Sequence, residues 1–265
     1  MNRAQLLQTL KRLAIVAGLL VATLVIISAV EQKQGSSIQE VNIDISPLGS
    51  DVFLLDSADV RKTIFRSFGF NLEGQQLAQI DVARLERVLE KEPFILDADA
   101  FITANNKIHI NVQQREPILR IIDNEGLNYY LDASGMRMPL SEHFSARLLV
   151  ATGNIPPHTP DFLERKKHLL KDLFQLSNVI RQDNFLYALV EQIHMQNGRF
   201  YLIPKLGDQT IIFGKYEQVE DKFRRLKVFY DEAVPRMGWD RYKTIDLSFK
   251  GQVVCEKQQQ FINPY

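Results

Sequence analysis

Four groups of residues in this 265-residue chain have types and spacings that could do chemistry. Glu191-Gln192-Ile193-His194 has the carboxylate-x-x-imidazole spacing that places two ligands on one face of a helix in carboxylate-bridged metal sites. It occurs once, in a stretch that reads as a strand, where positions i and i+3 face opposite sides. His158 and His168 flank a helix start without a third ligand, so a solvated surface is expected for both. Asp97 and Asp99 share one face of a strand, as a polar outer face requires. Cys255 is the single cysteine; nothing near it in sequence would lower its pKa, and an intrachain disulfide is impossible. There is no glycine-rich phosphate loop or dinucleotide fingerprint, and no serine has the Ser-x-x-Lys spacing of penicillin-binding enzymes. A non-enzymatic protein with no cofactor, no metal and no small-molecule substrate is the expectation.

Charge gives a second bound. The 32 basic and 32 acidic residues balance, which gives no reason to expect a nucleic-acid partner. Residues 1–12 carry Arg3, Lys11 and Arg12 and no acid, leaving 29 of the 32 basic residues against all 32 acidic ones.

That basic start precedes Leu13 to Val30, eighteen residues without a charge, eleven of them Leu, Ile or Val. As a helix the run would be roughly 27 Å long, close to the hydrocarbon thickness of a bilayer. With Lys11 and Arg12 in front and Glu31 behind, the positive-inside bias puts the N-terminus in the cytoplasm and the bulk outside it. A cleaved leader fits less well: Ile27 stands where a small residue is wanted, and the run exceeds the usual span of roughly 7–15 apolar residues. Gly18 and Ala22 have the small-xxx-small spacing of helix contacts in membranes.

Residues 31–40 read as a polar linker. Val41 to Ser46 alternates as a half-buried strand. Ser57 is the expected N-cap of a helix carrying Val60, Ile64, Phe65 and Phe68 and closed by Gly69; Asp81 caps a second, carrying Val82, Leu85, Val88 and Leu89. Phe94 to Ile102 and Ile108 to Gln113 follow as strands about Asn105-Asn106. Strand, helix, helix, strand, strand over residues 41–115 gives a compact α+β module. Residues 116–257 read as an antiparallel sheet domain with two helices. Its strands are Ile118–Ile122, Tyr129–Leu131, Leu148–Ala151, Leu186–Met195, Phe200–Ile203, Thr210–Phe213, Thr244–Phe249 and Gln252–Glu256. Its helices are Asp161–Arg181 and Glu217–Tyr230, Asn197-Gly198 is a hairpin turn, and residues 258–265 form a polar tail.

The order and three short segments then become specific. Arg115-Glu116-Pro117-Ile118-Leu119-Arg120 follows the third strand; Tyr129-Tyr130-Leu131-Asp132 leads to Gly135; Ile245-Asp246-Leu247-Ser248-Phe249 lies late. Together with a basic N-terminus and one membrane helix, they resemble the bacterial cell-division FtsQ/DivIB family over roughly residues 1–257. The first module is similar to a polypeptide-transport-associated (POTRA) domain. Leu119 replaces the family's alanine, and Ser248 stands where Arg is usual.

The resemblance implies a bitopic divisome scaffold that binds FtsB- and FtsL-like partners outside the cytoplasm, alongside other divisome membrane proteins, and helps regulate septal peptidoglycan synthesis. It also implies a cell inner-membrane location at the septum. Partner binding would fall on the last strand, carried here by Phe249, Gln252, Val253, Val254, Cys255 and Glu256. An unpaired edge without proline or lysine is open to strand addition, and Val254→Pro is expected to remove one ladder bond. The alternative is an envelope polypeptide-transport or assembly factor using its POTRA module.

Overall fold

A computed structural model of the protein describes residues 16–24, 36–49, 51–238 and 241–258. Residues 16–24 are helical and exposed, and among the described residues no helix is long and apolar enough to cross a membrane. The rest of the expected 13–30 span, residues 13–15 and 25–30, lies outside the described residues, as do residues 31–35 of the linker and 259–265 of the tail. The chain divides between Gln114 and Arg115 into two compact units.

The first unit holds β1 (Glu40–Ser46), α1 (Ser57–Phe68), α2 (Val82–Leu89), β2 (Ile95–Ile102) and β3 (Lys107–Gln114). β3 lies in the centre, parallel to β1 and antiparallel to β2. Val60 and Ile64 of α1 and Leu85 and Leu89 of α2 pack on Ile108, Ile110 and Val112 of β3. The N-cap of α1 is Asp56, not Ser57. Its carboxylate accepts from the Asp59 amide at 2.9 Å while Asp59 accepts from the Asp56 amide at 3.1 Å, a reciprocal pair that a serine one residue later could not complete. Asp81 caps α2 and Gly69 closes α1, as the spacing suggests. Within residues 36–38, read as linker, Ile38 is packed instead: it is buried and its amide donates to the Gln75 carbonyl at 2.8 Å.

The second unit is one nine-stranded sheet. Its strands are β4 (Pro117–Asp123), β5 (Asn128–Asp132), β6 (Arg137–Met138), β7 (Leu149–Gly153), β8 (Val190–Gln196), β9 (Arg199–Pro204), β10 (Thr210–Gly214), β11 (Tyr242–Asp246) and β12 (Val254–Lys257). They run in the order β12-β11-β10-β9-β8-β7-β4-β5-β6. The expected antiparallel sheet is in fact mixed: β4 and β7, β7 and β8, and β10 and β11 are parallel pairs. Two of these pairs are joined by helical crossovers, which let the chain return in the same direction. The first runs through α3 (Leu169–Gln182) and α4 (Asn184–Leu189), the second through α5 (Val219–Glu232) and α6 (Val234–Met237). Among the described residues, four helices thus stand where two were expected.

Two boundaries move for local reasons. α3 begins at Leu169 rather than Asp161, because Glu164 to His168 are five polar residues in a row and offer no face to bury. Residues 159–164 form turns instead, with the Phe162 amide on the Thr159 carbonyl and the Glu164 amide on that of Asp161. Leu186 to Leu189 is helix rather than strand, because Asp183 accepts from the Leu186 amide at 3.1 Å and caps α4. On one face of the sheet, Leu119, Ile121, Ile193, Met195, Phe200, Leu202, Ile211, Phe213 and Ile245 form a continuous core with Leu173, Phe174, Leu176, Phe223 and Leu226 of the helices.

Candidate functional site

β12 is the terminal strand of the large sheet and pairs on one side only, antiparallel to β11. Val254 stands opposite Asp246, Cys255 opposite Ile245 and Glu256 opposite Thr244. The Leu247 amide donates to the Ile212 carbonyl of β10 at 2.9 Å, so Leu247 and, two residues earlier, Ile245 turn their peptide groups toward β10. Thr244 and Asp246 therefore face β12, and Glu256 and Val254 meet them. Alternation leaves the N–H and C=O of Cys255 pointing away from the sheet. Among the described residues, no side-chain hydrogen bond reaches the backbone of Val254–Lys257. The Cys255 side chain turns inward and packs against the core. Burial pushes its thiol above the usual value, the opposite of what a nucleophile needs.

Of the six residues expected here, Val254, Cys255 and Glu256 lie in β12. Gln252 and Val253 precede it, and Phe249 lies in the turn after β11 rather than in the strand. β11 stops at Asp246 because its carboxylate accepts from the Ser248 amide at 2.8 Å and bends the chain. Phe249 is 48% exposed and Val254 41%, which makes an apolar margin beside the open edge.

The turn is held from beneath by a residue that hydropathy patterning does not single out. Arg225 of α5 is buried, donates from Nε to Asp221 Oδ2 at 2.8 Å and from Nη2 to the Leu247 carbonyl at 3.2 Å, and bonds the Gln252 carbonyl through Nη1. One guanidinium thus ties both ends of residues 247–252 to α5. Asp221 is held below the usual carboxylate range by Arg224 and then by Arg225. One turn away, buried Lys222 donates from Nζ to the Lys215 carbonyl at 2.8 Å and lies 4.5 Å from the centre of the Phe213 ring; burial pushes its pKa down. A polar residue on the inner face of an amphipathic helix was the available signal for both. An open cleft of about 540 Å³ beside them is lined by Gln218, Val219, Glu220, Asp221, Lys250 and Gly251.

Two of the three segments noted in the sequence meet at a second point. Arg115 donates from Nη1 to Asp132 Oδ2 at 2.7 Å, both side chains being largely buried. Asp132 Oδ1 also accepts from Ser134 Oγ at 2.7 Å and the Met136 amide at 2.8 Å. Burial alone would raise this carboxyl; the hydrogen bonds from Ser134, Arg115 and Met136 outweigh it and hold it below the usual range. Gly135 closes the turn at φ 83°, where a Cβ would come within 2.9 Å of Leu163 Cδ1.

The remaining groups are structural. His158 donates from Nε2 to the Gly135 carbonyl at 3.0 Å, and both His158 and His168 lie against the buried Phe162 ring rather than on a solvated surface. Burial and then Arg165 push the His168 imidazole down. His194 Nδ1 is 2.9 Å from Thr152 Oγ1, which accepts from Gln192 Nε2 at 2.8 Å, while Glu191 is exposed. Asp97 and Asp99 are exposed on β2.

These features define a class: a small three-stranded module followed by a mixed-sheet domain that ends in β12 at one edge and the two-residue β6 at the other. Residues 37–113 match the description of a POTRA-like domain, and residues 116–256 match that of the FtsQ/DivIB, C-terminal related family. The second match spans more than half of the chain, which belongs to the FtsQ/DivIB-related family of non-enzymatic division proteins. The chain is also similar to the cell division protein FtsQ of Rhodothermus marinus, at 27% identity over 194 residues that cover 70% of this chain and 68% of the relative.

Proposed function

We propose that this cell-division protein is a bitopic scaffold of the bacterial divisome. Its β12 edge takes a strand from an FtsB- or FtsL-like partner outside the cytoplasm and so contributes to the control of septal peptidoglycan synthesis. The observation that carries the reading is the outward N–H and C=O of Cys255 on a strand that no side chain among the described residues caps. Family membership supports the division role. The charge-free run 13–30 behind a basic start supports a single-pass anchor in the cell inner membrane, with the N-terminus cytoplasmic and the bulk periplasmic, at the septum. Membership of a non-enzymatic division family supports a protein that acts by holding partners together.

The register changes the best test. Val254 spends its backbone bonds on β11, so Val254→Pro would unpair β12 itself rather than a partner. Cys255→Pro removes the outward donor and leaves the bonds of Val254 and Glu256 in place. Capture of an FtsB-like partner by the Cys255→Pro variant should weaken at least about tenfold, roughly 1.4 kcal/mol. Unchanged capture by a folded variant would refute strand addition at this edge.

A further inference from the structure

The three-stranded sheet also has two edges, β1 and β2, yet a helix side chain occupies the outward backbone of each. On β2, Asp99 and Phe101 stand opposite Asn111 and His109 of β3, while the Ala100 amide between them donates to Glu86 Oε1 of α2 at 2.9 Å. On β1, the Val41 carbonyl accepts from Arg61 Nη2 of α1 at 2.8 Å, and Arg61 is itself paired with Glu73. Just before Val41 the same edge is covered by the 74–77 segment: Gly74 donates to the Ile38 carbonyl at 2.8 Å and Leu77 to that of Ser36 at 3.0 Å.

Outward groups on β2 recur at Ala98, Ala100 and Ile102, so Glu86 blocks the central rung of any ladder built there. An incoming strand would have to displace a carboxylate from an amide on one edge, or a guanidinium from a carbonyl on the other, and would leave a charge without its partner. Among the described residues, no side chain caps β12 in this way.

We infer that Glu86 and Arg61 are specificity-determining residues: they close the POTRA-like sheet to strand addition, so that an extended partner is directed away from β1 and β2 and toward the second unit, where β12 is open. The closure stands on its own geometry; only its consequence for partner choice rests on the reading of β12 given above.

The test uses the full chain and a second copy of it as the probe strand. In Glu86→Ala, hydrogen exchange at the Ala100 amide should accelerate at least about tenfold while the Asp99 and Phe101 amides hold, and Glu86→Gln, which keeps an oxygen acceptor, should restore it. The Arg61→Met/Glu86→Ala double variant should dimerise at roughly 10–100 μM in sedimentation, and adding Ala98→Pro should return it to monomer. Unchanged exchange at Ala100, or a double variant that stays monomeric, overturns the inference. So does Ala100 exchange that rises together with Asp99 and Phe101, which would make Glu86 a residue of fold rather than of edge closure. Neither arm involves β12, so an unaffected Cys255→Pro variant would refute strand addition there and leave the edge closure intact.

Discussion

Asp132 shows how one side chain can settle a local structure. Its carboxylate collects Arg115, the Ser134 hydroxyl and the Met136 amide, so removing its charge strands a buried guanidinium. Asp132→Asn should destabilise the fold by about 3 kcal/mol, read by denaturant unfolding. The folded carboxyl lies below its unfolded value, so its contribution is complete above about pH 4 and is lost as pH falls through the folded pKa. The wild-type Tm should therefore drop more steeply on acidification than that of Asp132→Asn. Arg225 acts at the same scale toward the other end of the sheet. Arg225→Met should loosen residues 247–252 and weaken partner capture about tenfold, read by calorimetric titration. Arg225→Lys should recover only part of this, since one ammonium cannot serve Asp221 and two carbonyls in a plane.

At the scale of elements, strands and helices with a clear period were legible: α1, α2, β3 and the Asn197-Gly198 hairpin stand close to where the sequence puts them. The failures have common causes. Phe162 and Leu163 are apolar and packed yet sit in turns, because burial of isolated residues does not require helical continuity. The period alone could not separate helix from strand at Leu186 to Leu189; the cap at Asp183 decided it. Parallel pairing in the sheet depended on where the crossovers return, which no local pattern encodes. Of the candidate site, a strand returning after Lys250-Gly251 was legible in the sequence, and its expected role as a binding edge came from the family resemblance. The direction of each peptide group was not, because it depends on the β10–β11 register and on Arg225 beneath the turn.

At the scale of the molecule, a basic start and the proposed anchor at 13–30 precede a module with capped edges and a sheet that ends in β12. The anchor can be tested apart from the rest: Leu20→Arg should cost about 2.5–3.5 kcal/mol of insertion and move the chain toward the carbonate-extractable fraction. Anchoring would hold the extracytoplasmic units near other bitopic proteins and raise their effective concentration, so a modest edge-strand affinity would suffice. The central claim is strand addition at β12, and amide hydrogen exchange on the full chain with and without an FtsB-like partner tests it most directly. The Cys255 amide should gain at least about tenfold protection on binding, while Val254 and Glu256, already bonded to β11, change little. Protection that bypasses Cys255, or that falls on β1 or β2, would contradict the account.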